Sequence, residues 1–307
     1  MKIKPRAVPP GSTLGIVSPS SPIAPDKMEK GRALMHAYGY KTKLMPHALD
    51  SEFYLAGSDR HRADDLMAAF HDPEVDAVYC SRGGYGCARL FPYLDLDFMA
   101  QSRKMFLGFS DITTLHMALQ RRGAVTIQAP MVLTLAFDRA PWVHESFFNV
   151  LSGDARIPKS ATKMETVVPG VAEGDTVGGC LCLICDSIGT KEEIQTEGKI
   201  LLIEDVDENP HRVDAMMTHL FNAGKLQSAA AVVVGEMTRT DERADESIGS
   251  KPWKDIVGDI LVRSGVPSSV MFPFGHMSTM LSLPMGLRAR VDTEAATFEY
   301  TEPLCDD

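Results

Sequence analysis

Short apolar runs rich in β-branched residues alternate with amphipathic helical stretches through roughly the first 130 residues, and that alternation narrows the folds open to the chain. TLGIVS (13–18), VDAVYCS (75–81), KMFLG (104–108) and AVTIQAP (124–130) read as buried strands. Between them, 26–39, 58–71 and 111–123 carry helical spacing; Ser58 is placed to cap the second, and Gly39 and Pro73 stop the first two. Strands that are apolar throughout, separated by helices, imply a mostly parallel sheet covered on both faces.

The pattern pauses and restarts. APWVHESFFNVLSG (140–153) reads as a helix; His144-Glu145 begins an H-E-x-x-H pattern, but Phe148 holds the second histidine position, so no zinc site follows there. Residues 152–174 are polar and rich in small residues, Lys and Pro, as in a linker. After them come a Gly-opened helix at 177–190, strands at 199–206 and 229–237, a helix ending near Gly224, a charged loop at 238–251, a helix closing on Gly265, a strand at 268–276 and a hairpin at 288–303. The expected division is an N-terminal domain at 1–151, a linker at 152–174 and a C-terminal domain at 175–307.

With 307 residues, 44% of them hydrophobic, the chain can bury a sizeable core, and its net charge of −10 argues against sequence-independent nucleic-acid binding. No apolar run reaches the length of a membrane span, and the basic N-terminus lacks an apolar core with a cleavage site, so a cytoplasmic protein with no membrane partner is expected. Cys180, Cys182 and Cys185 form a C-x-C-x-x-C cluster in an apolar helical stretch with no nearby histidine or second thiol pair; buried free thiols are expected, and no metal.

Four places carry candidate chemistry. The first is Gly108-Phe109-Ser110, a tight turn between strand and helix, where a serine hydroxyl would stand clear of the backbone beside free helical N–H groups. Ile112 stands where G-x-S-x-G requires glycine, and the plainer reading is that Ser110 caps the helix starting at Asp111. The second is Arg82-Gly83-Gly84-Tyr85-Gly86, at the carboxyl end of a strand; it lacks the phosphate-loop and dinucleotide spacings, and is either a ligand-binding loop or a plain turn. The third is His276, after Gly275 at a strand end. The fourth is Glu204, at the end of an apolar strand, where a carboxylate needs a partner: an imidazole, or a cation such as Arg212. Asp205 competes for the same role.

Taken together, these stretches resemble the LD-carboxypeptidase family of serine peptidases, which also holds the microcin C immunity hydrolases. Five blocks carry the resemblance: 82–86; 108–113; Gly178-Gly179 with Leu181; 204–208 with 211–214; and 272–276 with 283–286. It implies an α/β fold with an N-terminal doubly wound, mostly parallel sheet domain and a second, C-terminal α/β domain. It implies a triad of Ser110 as nucleophile, His276 as base and Glu204 as orienting carboxylate, with an oxyanion hole from the backbone N–H groups of Asp111 and Gly84. It further implies no cofactor or metal, and a cytoplasmic homodimer. The family usually carries Asn after the glycine pair, where this chain has Cys180.

The implied reaction is hydrolysis of the amide between an L-centre of the diaminopimelate type and the terminal D-alanine of a murein tetrapeptide. An immunity-type member would instead take a peptidyl or aminoacyl nucleotide. Either substrate is anionic, and Arg82, Gly83 and Arg212 lie in blocks suited to hold it. A catalytically silent small-ligand-binding protein on the same scaffold is the reading from another class.

Overall fold

The computed structural model describes residues 2–158, 161, 163–245, 247 and 249–306. Residues 159, 160 and 162 of the expected linker, 246 and 248 of the charged loop, and the outermost residues 1 and 307 of the two expected domains lie outside the described residues. The chain divides into two compact units. The first contains Met1–Ala155, Ser282–Gly286 and Pro303–Asp307; the second contains Arg156–Leu281 and Leu287–Glu302.

In the first part of the chain the order is β1 (Thr13–Val17), α1 (Pro25–Ala37), β2 (Lys41–Leu44), α2 (Asp59–His71), β3 (Ala77–Cys80), α3 (Leu96–Gln101), β4 (Met105–Gly108), α4 (Thr113–Arg121), β5 (Thr126–Gln128), α5 (Val132–Leu135) and α6 (Pro141–Leu151). There follow β6 (Glu165–Val168), β7 (Val171–Cys180), α7 (Leu181–Ser187), β8 (Ile200–Val206), α8 (Pro210–Asn222), β9 (Ala231–Thr238), α9 (Trp253–Ser264), β10 (Ser268–Val270), β11 (Leu283–Met285), β12 (Arg288–Asp292) and β13 (Thr297–Tyr300).

The first sheet has the order β11-β5-β4-β3-β1-β2. Its five strands from the N-terminal part run parallel, and β11 joins antiparallel to β5. The expected mostly parallel α/β sheet is therefore present. β3 and β4 are buried at every position, as a sheet covered on both faces requires. Local signals act as expected: the Ser58 hydroxyl accepts the His61 N–H at the start of α2, and Gly265 closes α9 in the left-handed conformation.

The second sheet has the order β13-β12-β7-β8-β9-β10-β6. Its centre, β7 to β10, is parallel, and β6, β12 and β13 are added antiparallel. The hairpin expected near the C-terminus is β12–β13. Three local expectations need correction. Gly178-Gly179 do not open a helix; they end β7, and α7 begins at Leu181. A Cβ on Gly178 would overlap the Leu202 carbonyl of β8, so the glycine serves close strand approach. The strand before His276 is three residues long and stops at Val270, because Met271 adopts a left-handed φ of 65°. Strand structure also reaches into 152–174, as β6 and the start of β7.

Candidate active site

Within the first unit, β4 delivers the chain to a tight turn. A 3-10 turn covers Ser110–Ile112, and α4 starts at Thr113. Ser110 therefore does not occupy the capping position of the helix: it lies inside the turn with a left-handed φ of 64°. A non-glycine residue in that region costs about 1–2 kcal/mol and persists only where its surroundings impose it. Gly108 makes the turn possible, since a Cβ there would come within 2.9 Å of Ile112 Cγ1. Its carbonyl accepts a 2.9 Å hydrogen bond from Nε2–H of the fully buried His116. Burial pushes the His116 pKa down to about 4, against the raising effect of that hydrogen bond.

The glycine loop lies against the same turn. A Cβ on Gly83 would stand 2.7 Å from Ser110 Cβ, 2.9 Å from Ser110 Oγ and 3.3 Å from the Asp111 nitrogen. The buried Asp111 carboxylate ties this arrangement together. Its Oδ2 accepts from Ser20 Oγ at 2.6 Å and from the Cys87 N–H at 2.9 Å, so it holds the loop after β1 and the end of the glycine loop beside Ser110. Arg82 is half-buried and donates to the Gly83 and Pro22 carbonyls at 3.2 and 3.1 Å.

The second unit brings Glu204 and His276 together. Both Glu204 and Asp205 are buried, and the register of β8 against β9 shifts between Ile203 and Asp205. Two residues of β9 thus oppose Glu204 alone, a bulge of the kind that re-aims a side chain. Glu204 Oε2 accepts from His276 Nδ1 at 2.7 Å and from the His276 backbone N–H at 3.1 Å. Glu204 Oε1 is buried without a hydrogen-bond partner among the described residues. The choice between His276 and Arg212 as partner of Glu204 falls to His276; Arg212 is exposed on α8. Asp205 serves a different cluster, accepting from the Cys182 and Val206 N–H groups and the Cys180 thiol.

His276 sits on an irregular segment pinned by the fully buried Phe272 and Phe274. Gly275, with φ of 92°, lies so close to Glu204 that a Cβ would overlap its Oε2 and Cγ. Burial alone would lower the His276 pKa, but the charge and hydrogen bond of Glu204 outweigh it and hold the imidazole above its ordinary value. Burial, with the Glu204 charge, pushes Asp205 up to about 6. Sequence reasoning missed three contributors: the Asp111 carboxylate, Gly275 as the seat of Glu204, and His116 beneath the turn. Their chemistry is non-local, and a glycine before the histidine was the one visible hint.

Among the described residues no helix is long and apolar enough to cross a membrane. The family models for the LD-carboxypeptidase N-terminal and C-terminal domains match residues 14–129 and 173–291. A probable murein peptide carboxypeptidase of Bacillus subtilis is 34% identical over 301 residues, covering 97% of this chain and 94% of the relative. The crystal structure of muramoyltetrapeptide carboxypeptidase from Oxalobacter formigenes superposes with a TM-score of 0.78 at 25% identity, covering 94% and 97% of the two chains. The microcin C7 self immunity protein MccF, solved with aspartyl sulfamoyl adenosine, shares the fold with a TM-score of 0.88 at 20% identity over 99% of each chain. A two-unit α/β chain matched in both halves and along almost its whole length belongs to the LD-carboxypeptidase family of hydrolytic enzymes.

Proposed function

We propose that this enzyme is a serine-type LD-carboxypeptidase that removes the terminal D-alanine of a murein tetrapeptide, with Ser110, His276 and Glu204 as its triad. The observation that carries the triad is the 2.7 Å contact between His276 Nδ1 and Glu204 Oε2, made by a buried carboxylate. It fixes the tautomer: Nδ1–H donates to Glu204, and Nε2 is left to act as the base. Ser110 supplies the nucleophile from its left-handed turn. The murein peptide carboxypeptidase relatives support the substrate class.

In the proposed reaction Ser110 Oγ attacks the amide carbonyl while His276 Nε2 takes its proton. The N–H groups of Asp111 and Gly84 receive the oxyanion. His276 then protonates the departing D-alanine amine, and water, deprotonated by the same imidazole, releases the L-centred acyl group from Ser110. Arg82, Gly83 and Arg212 contact the anionic substrate. Neither a cofactor nor a metal takes part. The enzyme would work in the cytoplasm, as a homodimer, on recycled wall peptides.

Mass spectrometry of murein tetrapeptides ending in D- or L-alanine, beside aminoacyl sulfamoyl adenosine, tests the reading. Release of D-alanine from the first alone is expected. Hydrolysis of the nucleotide analogue alone would transfer the enzyme to the immunity type. The Ser110→Ala variant should lose roughly 10³-fold or more in turnover; near-native turnover would remove Ser110 from the mechanism.

A further inference from the structure

Cys180 ends β7, Cys182 lies in the first turn of α7, and Asp205 lies in β8. The Cys180 and Cys182 sulfurs are 3.4 Å apart. Asp205 Oδ1 stands 3.4 Å from the Cys180 sulfur and 3.9 Å from that of Cys182. A tetrahedral zinc-type ion, with bonds of about 2.3 Å to sulfur and about 2.1 Å to oxygen, needs ligand separations of roughly 3.6–3.8 Å. The three donors, at 3.4, 3.4 and 3.9 Å from one another, therefore stand within about 0.4 Å of the spacing such an ion requires.

Charge points the same way. Asp205 is 2% exposed, and its partners are two thiols and the N–H groups of Cys182 and Val206. Among the described residues no cationic side chain forms an ion pair with it. A buried carboxylate lacking a cation is costly. Two thiolates and a carboxylate select a soft or borderline ion over magnesium or calcium. Cys182 is half-buried and gives the ion its way in.

A second group, His47, Asp50 and His61, also gathers donor atoms. Its two imidazoles are stacked at 3.9 Å and 17°, so their in-plane lone pairs run side by side and do not converge on one ion.

We propose that Cys180, Cys182 and Asp205 form a binding site for one thiophilic divalent cation of the zinc class, with the fourth position open. On binding, each thiol gives its proton to the buffer and its sulfur bonds the ion, with no change of oxidation state. The ion would cross-link the end of β7, the start of α7 and β8, independently of the hydrolytic chemistry proposed above.

The test is titration of the full-length, reduced protein with Co²⁺, read by its thiolate charge-transfer absorption. One equivalent should produce the band, Zn²⁺ should displace it, and Cys180→Ser or Cys182→Ser should abolish it. Asp205→Asn should weaken binding roughly tenfold or more, whereas Cys185→Ser and Cys305→Ser should leave it intact. Zn²⁺ should also raise the melting temperature of the native protein and not that of Cys182→Ala, whose fold is checked by circular dichroism. No band at stoichiometric Co²⁺, or a band that persists in Cys182→Ser, overturns the proposal.

Discussion

Glu204 accepts both the ring Nδ1–H and the backbone N–H of His276 on one oxygen, Oε2. The carboxylate therefore fixes the position of the residue as well as the direction of its ring. Glu204→Gln should keep the fold and lower turnover by roughly 10²–10⁴-fold. The His276 pKa, raised in the native protein, should fall in this variant once the attracting charge is gone. A ring NMR titration of His276 checks it; an unchanged pKa would contradict the electrostatic role of Glu204.

If His276 is the base, as proposed, the same raised pKa should set the pH profile. A base must be unprotonated, so kcat/KM should climb with pH through an inflection above the usual histidine value of about 6.5. A flat profile from about pH 5 to 8 would exclude His276 as the base.

Gly275 is required where it stands. Gly275→Ala combines a strained positive φ with overlap on the Glu204 carboxylate. The expected destabilisation is about 2–4 kcal/mol, together with a fall in kcat. Urea unfolding and steady-state kinetics on the same preparation measure both, and native values in each would refute the close seat.

Asp111 is expected to act as a positioning residue through the glycine loop. Asp111→Ala leaves the Ser20 hydroxyl and the Cys87 N–H without their acceptor in the interior, at about 1–3 kcal/mol. The predicted signature is a larger change in kcat than in KM, with recovery in Asp111→Asn, which keeps an acceptor oxygen. Equal losses in both variants would assign the carboxylate a different task.

His116 should govern part of the acid limb of stability. Its folded pKa of about 4 lies below the unfolded value of about 6.5, so the unfolded chain binds the proton first. Its contribution is complete above about pH 6.5 and is lost as pH falls toward 4, on the order of 3 kcal/mol in all. Urea unfolding at pH 7 and pH 4.5 should show this loss, and His116→Gln should show less of it. Identical pH dependence in the two proteins would dismiss the buried imidazole as its source.

The legibility of the sequence follows the range of the interactions. Runs such as Leu14–Val17 and Leu201–Ile203 announce strands because their own side chains decide burial, and Ser58 and Gly265 mark helix ends through local backbone chemistry. The meaning of Gly178 depends instead on Leu202, from another strand, and a glycine pair read locally suggests a helix start. Likewise, the residues read locally leave Asp205 as a competitor of Glu204, and the bulge opposite Glu204 in β9 separates their roles. The turn at Ser110 was visible as a Gly-x-Ser between strand and helix, but its left-handed serine, which sets it apart from a cap, belongs to the folded backbone.

β11 supplies the outer strand of the first sheet from residues 283–285, and the last five residues of the chain return to the same unit. A fragment ending at residue 155 would therefore expose the ladder groups of β5 and invite self-association through that open edge. Attempts to split the enzyme should graft the β11 sequence after α6 or supply it as a separate peptide. Circular permutation near residue 282, in contrast to simple truncation, respects the way the chain is interlaced.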